Sequence, residues 1–85
     1  MNKIKLKELL NILVGFKVCI KLYDDIDDEM TIIINNYYAS QALDILNNKY
    51  LDCIVTLAIK ECSEDYRDTY MAIMIVEDQT EGGEE

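Results

Sequence analysis

The chain contains no histidine, no proline and no tryptophan, and only three of its 85 residues are glycine. Without histidine, it cannot build a catalytic triad on imidazole, and it lacks the most common zinc ligand. The only two adjacent glycines are Gly82 and Gly83, near the end of the sequence, so there is no glycine-rich loop of the phosphate-binding kind. These absences favour a protein that acts by binding, and we predict that it is not an enzyme.

Cysteine is scarce as well, since Cys19, Cys53 and Cys62 form an odd set at wide spacing. Secreted disulfide frameworks usually have an even number of cysteines, and a closed zinc site needs four ligands. No signal peptide is evident, and no apolar run approaches the roughly 18 residues that a membrane span requires. We therefore predict a cytoplasmic protein with reduced thiols, no metal and no cofactor.

The length of 85 residues suits one domain, and a hydrophobic content of 51% argues against disorder in the body of the chain. We expect residues 1–77 to form a single α+β domain. Residues 78–85 include no apolar side chain, and we expect them to form an acidic, disordered tail.

The charge is distributed unevenly along the chain. Residues 1–22 hold five lysines and one glutamate, a net charge of +4, whereas residues 23–85 hold three bases and 16 acids, a net charge of −13. An acidic protein is repelled by nucleic acid, because binding to phosphates depends on lysine and arginine. The same charge favours a basic surface on another protein, so we predict no direct nucleic-acid partner and no membrane.

Hydrophobic periodicity predicts two helices and four strands. Leucines at positions 6, 9, 10 and 13 have helical spacing, and a second apolar stripe covers residues 39–46, with Ser40 as a candidate cap. Residues 16–23 alternate as a strand does, residues 29–35 form its hairpin partner, and Asn35 and Asn36 are expected to end that strand. Residues 47–49 predict a turn, and residues 53–62 and 69–77 predict two further strands. The order α-β-β-α-β-β indicates a mainly antiparallel four-stranded sheet with both helices on one face.

The final strand is apolar on both faces, which is unusual for a sheet with one face in water. Met71, Ile73 and Ile75 alternate with residues 70, 72, 74 and 76, which are also mostly apolar. Two short helices cannot cover both sides, so we predict that another copy or a target protein buries part of the second face. We assign this interface to Met71, Ile73 and Ile75; the alternative is that loops and tyrosines cover it.

The acidic turn after the first strand invites comparison with a calcium site. Asp25, Asp27 and Glu29 alternate as in an EF-hand loop. That loop also needs glycine at its sixth position and glutamate at its twelfth, where this chain has Met30 and Asn36. We therefore interpret the segment as a solvated hairpin turn, with a weak, open divalent-ion site as the alternative.

Acidic residues and tyrosines cluster at the two predicted hairpin ends. Carboxylates beside tyrosines can bind arginine and lysine through charge-assisted hydrogen bonds and cation–π contacts. The alternative is that these acids serve solubility only. The candidate partner-binding residues are Tyr23, Asp24, Asp25, Asp27, Asp28, Glu29, Glu64, Asp65, Tyr66 and Asp68.

Two features resemble known protein groups. The segment 5–13, Lys-Leu-Lys-Glu-Leu-Leu-Asn-Ile-Leu, with a strand that closes on Tyr23-Asp24-Asp25, resembles the start of small proteins from phages and prophages of low-GC Gram-positive bacteria. In size, charge and α+β character the chain is also similar to several anti-CRISPR proteins, which are small phage products that block a CRISPR effector. The resemblance implies a non-enzymatic inhibitor that binds a basic, nucleic-acid-binding surface of a host defence protein. The alternative function is a homo-oligomeric structural or accessory module, such as a homodimer.

Overall fold

The computed structural model describes residues 3–62 and 68–77. Its elements are α1 (Leu6–Ile12), β1 (Lys17–Asp24), β2 (Glu29–Tyr38), α2 (Ala39–Ile45), α3 (Asn48–Leu51), β3 (Ile54–Cys62) and β4 (Thr69–Val76). This confirms the predicted α+β class, with one additional helix. The additional helix α3 occupies the predicted turn at 47–49, where the side chain of Asn47 accepts a hydrogen bond of 3.0 Å from the backbone N–H of Lys49. The predicted tail, 78–85, lies outside the described residues.

The sheet is mixed, with the strand order β2-β1-β4-β3. The pairs β1–β2 and β3–β4 are antiparallel, as predicted for hairpins, whereas the central pair β1–β4 is parallel. The turn after β1 and the residues that enter β4 therefore lie at opposite ends of the sheet. An eight-residue strand spans roughly 26 Å, which is the approximate separation of these two ends.

Strand β2 is longer than the sequence predicted. Asn35 and Asn36 do not end it, because the strand continues to Tyr38. Asn36 has a φ of 66°, and the register with β1 shifts at this point, from Val18 opposite Tyr37 to Cys19 opposite Asn35. Asparagine tolerates this left-handed conformation better than most residues, so Asn36 forms a β-bulge where a strand end was expected.

The core lies between the helices and one face of the sheet. The largest fully buried side chains are Leu6, Leu10, Val18, Ile20, Ile73 and Ile75. Ala39 and Ala42 of α2 are completely buried, and such small side chains let a helix approach the sheet closely. A short segment before α1 also joins the sheet, since the backbone N–H of Val55 donates to the carbonyl of Ile4 at 2.8 Å.

The predicted oligomer interface is wrong. Ile73 and Ile75 are 2% and 0% exposed, and Met71 packs against the same core, so these side chains face the helices. Because both faces of β4 are apolar, the sequence pattern did not show which face the helices cover.

Among the described residues, no helix is long and apolar enough to cross a membrane.

Candidate functional site

The turn between β1 and β2 is held by its own carboxylates. Asp24 Oδ1 accepts hydrogen bonds from the backbone N–H of Ile26 at 2.9 Å and, more weakly, from that of Asp27 at 3.4 Å. Asp28 takes the left-handed conformation, with a φ of 54°, and its Oδ1 accepts a 2.8 Å hydrogen bond from the hydroxyl of Tyr23. The turn thus has a defined shape, and we call residues 24–29 the acidic tip.

All six residues of the acidic tip are exposed, and five of them are acids. None of these acids forms a salt bridge with a lysine of the described residues. Elsewhere in the described part of the chain, Lys7 and Asp52 form a salt bridge at 3.3 Å. No lysine of the described residues therefore pairs directly with these carboxylates. A cationic partner would gain from this charge, most strongly at low ionic strength.

The sixth residue of the tip is Ile26, which the sequence analysis did not select. Its side chain is 86% exposed, the highest value among the large exposed hydrophobic residues of the described chain. A signal was present in the sequence, because a lone isoleucine within an acidic turn has no core to join. Ile26 adds an apolar contact to a surface that otherwise offers charge.

A groove of about 450 Å³ adjoins the tip at this end of the sheet, and Tyr23, Met74 and Val76 contribute to it from the face opposite the helices. The residues that line it are Leu22, Tyr23, Asp24, Asp25, Ile26, Thr56, Met74, Val76 and Glu77. Most of this lining is apolar, and carboxylates stand at its margin. The sequence did not reveal the groove, because it requires the parallel pairing of β1 with β4.

The described acids of the second group, Glu61 and Asp68, lie at the opposite end of the sheet. There the hydroxyl of Tyr70 donates a 2.9 Å hydrogen bond to Glu61 Oε1, and Asp68 is exposed. The remaining candidates of this group, Glu64, Asp65 and Tyr66, lie outside the described residues. The structure does not bring Asp68 together with the acidic tip, because the two lie at opposite ends of the sheet.

Among the described residues, each end of the sheet thus carries a tyrosine whose hydroxyl is hydrogen-bonded to a carboxylate. The hydrogen bond to Asp28, reinforced by the charges of Asp28, Asp25 and Asp24, raises the pKa of Tyr23 above its ordinary value of 10.0. The hydrogen bond to Glu61 raises the pKa of Tyr70 in the same way. Both phenols are neutral donors near pH 7 and orient a carboxylate. Neither phenol is deprotonated to a nucleophilic phenolate at that pH.

The sheet face opposite the helices, which we call the open face, is apolar. Its exposed side chains include Met30 at 49%, Ile32 at 58%, Leu57 at 48% and Ile59 at 41%. The strand register places Ile32 and Met74 on either side of Lys21 in one row across this face. Within residues 3–62 and 68–77 no helix lies over it. The second apolar face expected from the sequence is therefore present, but in β4 it is formed by the residues that alternate with Met71, Ile73 and Ile75.

The described residues contain no group of three or more acids or cysteines placed to hold a metal ion. All three cysteines are free; Cys19 and Cys53 are buried and Cys62 is exposed. Burial, together with the charges of Glu77 and Asp52, raises the pKa of Cys53, which disfavours its thiolate. Cys53 thus belongs to the core, and Cys19 and Cys62 are strand residues of β1 and β3.

Comparison with protein-family models finds no match, and neither does comparison with curated proteins or with solved structures. The geometry of the acidic tip, the groove and the open face is therefore the basis for a functional conclusion.

Proposed function

We propose that this chain is a phage-type inhibitor, similar in kind to the anti-CRISPR proteins, that binds a basic, nucleic-acid-binding surface of a host defence protein in the host cytoplasm. The observation that supports the proposal is the acidic tip. Its five carboxylates are exposed, they form no salt bridge with any lysine of the described residues, and they are held on a turn of defined shape.

A surface that binds nucleic acid must present lysine and arginine to phosphates. A projecting turn with five carboxylates presents complementary charge in a small space, which speeds the encounter and competes with the nucleic acid. The internal hydrogen bonds of Asp24 and Asp28 lower the cost of binding, because the turn need not be ordered by the partner.

The test is competition with nucleic acid. Purified CRISPR effector complexes from low-GC Gram-positive bacteria are mixed with labelled target DNA, and DNA binding is measured as this chain is added. We expect inhibition of at least one effector, weakening as salt increases. If DNA binding by every effector in the panel is unaffected, the proposal is wrong.

A matched pair of variants locates the site. Asp25→Asn/Asp27→Asn removes two charges from the acidic tip but leaves the acceptors on Asp24 and Asp28 intact. Glu61→Gln/Asp68→Asn removes two charges at the other end of the sheet. We expect the first variant to need about tenfold more protein for half-inhibition, and the second less than about twofold. Equal losses in both would show that overall charge, and not the tip, causes inhibition.

The open face supports a second candidate function, a homo-oligomeric module in which the acids serve solubility. Leu57 and Ile59 are exposed side by side with the apolar residues of β4 on this face. Under this candidate, Leu57→Glu would reduce the molar mass measured by light scattering. Ile12→Glu, at a 75% exposed position on α1, is the matched control and would leave the mass unchanged. A monomeric wild-type chain would eliminate this candidate.

A further inference from the structure

Building on the proposed function, we propose that the groove beside the acidic tip binds an arginine side chain that the basic surface of the partner presents. The acidic tip would supply the long-range attraction, and the groove would supply the contact that selects arginine. The inference depends on three properties of the groove: its apolar floor, its acidic margin and its aromatic wall.

The floor is formed by neighbouring strands on the open face. Lys21 lies opposite Met74 in the parallel pairing of β1 and β4, so Tyr23 comes next to Val76 two residues further along each strand. Thr56 lines the groove from β3, and its hydroxyl donates a 3.2 Å hydrogen bond to the carbonyl of Met74. The result is a mostly apolar trough that suits the three methylenes of an arginine side chain.

The margin of the groove is acidic. Asp24 and Asp25 line it from the tip and Glu77 lines it from the end of β4, whereas no lysine is among its lining residues. A guanidinium that reaches the margin would meet carboxylates from two separate elements. This arrangement suits a planar donor that can bond to more than one carboxylate at a time.

Tyr23 is the aromatic residue that lines the groove, and the hydrogen bond of its hydroxyl to Asp28 restrains its ring. Guanidinium stacks on aromatic rings and is more weakly hydrated than ammonium, so this wall favours arginine over lysine. The chain's own residues 78–85 are disfavoured as occupants, because they contain four acids and no base. Charge therefore favours a cationic partner over the tail.

The test uses hexaarginine and hexalysine peptides as probes, with binding followed residue by residue through backbone amide NMR shifts of the full chain. We expect hexaarginine to shift the amides of Tyr23–Ile26 together with those of Met74, Val76 and Glu77. The dissociation constant of hexalysine should be at least about threefold higher than that of hexaarginine, because an ammonium group does not stack on the tyrosine ring as guanidinium does. Equal binding of the two peptides, or shifts confined to the tip, would overturn the proposal.

Two variants on the open face provide the matched comparison. Met74→Lys places a cation inside the groove, and Ile32→Lys places the same charge on the other side of Lys21, outside it. Ile32 is exposed and Met74 is half-buried, as Lys21 is, and all three lie on the side away from the core, so both variants should fold. We expect Met74→Lys to weaken hexaarginine binding about tenfold and Ile32→Lys less than about threefold, since distance and solvent screen the second charge.

The outcomes separate this inference from the proposed function. If Met74→Lys binds hexaarginine as the wild-type chain does, the groove is not the arginine site. If that variant also inhibits the effector while Asp25→Asn/Asp27→Asn does not, the proposed function stands without the groove. Groove amides that shift with protein concentration alone would identify a second copy as the occupant and overturn the inference.

Discussion

The two faces of β4 have similar sequences but different surroundings. Ile73 and Ile75 are 2% and 0% exposed beneath the helices, whereas Met74 and Val76, the residues next to them, stand half-buried on the open face. The difference comes from coverage and not from composition. A sheet of this kind therefore uses the same residue types to build a core on one side and an exposed apolar surface on the other.

The size of the helices explains this difference. α1 and α2 have seven residues each, so each is about 10 Å long, whereas four strands span roughly 15–19 Å across the sheet. Two helices of this length can cover much of one face of the sheet, and no further helix of the described residues is available to cover the second face. Coverage is incomplete even on the helix side, where Ala58, Lys60 and Cys62 of β3 are exposed.

The largest expected effect comes from truncation on the covered face. We expect Ile75→Ala to lower the free energy of unfolding by about 2–5 kcal/mol, because it leaves a cavity in a fully buried position. Urea denaturation followed by circular dichroism measures the change. Ile59→Ala, at a 41% exposed position on the open face, should cost less than about 1 kcal/mol. Similar losses for both would mean that the open face is buried in solution, as in a stable oligomer.

Local patterns predicted most of this fold. Alternating apolar residues predicted the strands, and leucine and alanine spacing predicted α1 and α2. Strand pairing was harder, because periodicity shows that a segment is a strand but not which strand lies beside it. The parallel pairing of β1 with β4 brings together residues more than 50 positions apart, such as Leu22 and Ile75, and no local signal encodes it.

The candidate site was predictable in part for the same reason. The acidic tip was predicted because all of its residues are contiguous, whereas the groove needs Tyr23 and Val76 to become neighbours. The interface on Ile73 and Ile75 was wrong because both faces of β4 satisfy the same pattern. Ile26 was missed because apolar residues were sought in strands and helices and not in turns.

Thiol reactivity tests the same comparison with a smaller effect. Cys62 is exposed near the end of β3, while Cys53 packs in the core and Cys19, on the open face, is only 7% exposed. We expect one thiol per chain to react rapidly with a disulfide reagent at pH 8 and the other two to react about 100-fold more slowly, after local opening. The reagent's absorbance measures this, with Cys62→Ser as the control that removes the rapid phase. A rapid thiol that remains in that variant would show that Cys19 or Cys53 is accessible, which would contradict the burial of both.

The smallest expected effect is in the titration of the two tyrosines, which compares the two ends of the sheet. Asp28→Asn should lower the pKa of Tyr23 toward 10.0, because an amide oxygen accepts the hydrogen bond from the hydroxyl but carries no negative charge. Glu61→Gln should lower the pKa of Tyr70 alone, for the same reason. The pH dependence of the ring carbon shifts, measured by NMR, gives each value separately. Movement of both tyrosines in either variant would contradict the separation of the two ends by the length of β4.

The sign of the linked effect on stability follows from the direction of these shifts. A phenol whose pKa is higher in the folded chain than in the unfolded chain stabilises the fold below its unfolded pKa, and that contribution disappears as the pH rises through the folded pKa. The wild-type chain should therefore lose stability above about pH 10, as each hydroxyl loses the proton that it donates to its carboxylate. Asp28→Asn should reduce this alkaline loss through Tyr23 and leave the part due to Tyr70 in place. Urea midpoints measured between pH 8 and pH 11 test this. If the midpoint of Asp28→Asn falls with pH as steeply as that of the wild-type chain, the Tyr23–Asp28 hydrogen bond does not persist in solution. The acidic tip would then lack one of the hydrogen bonds that hold its shape.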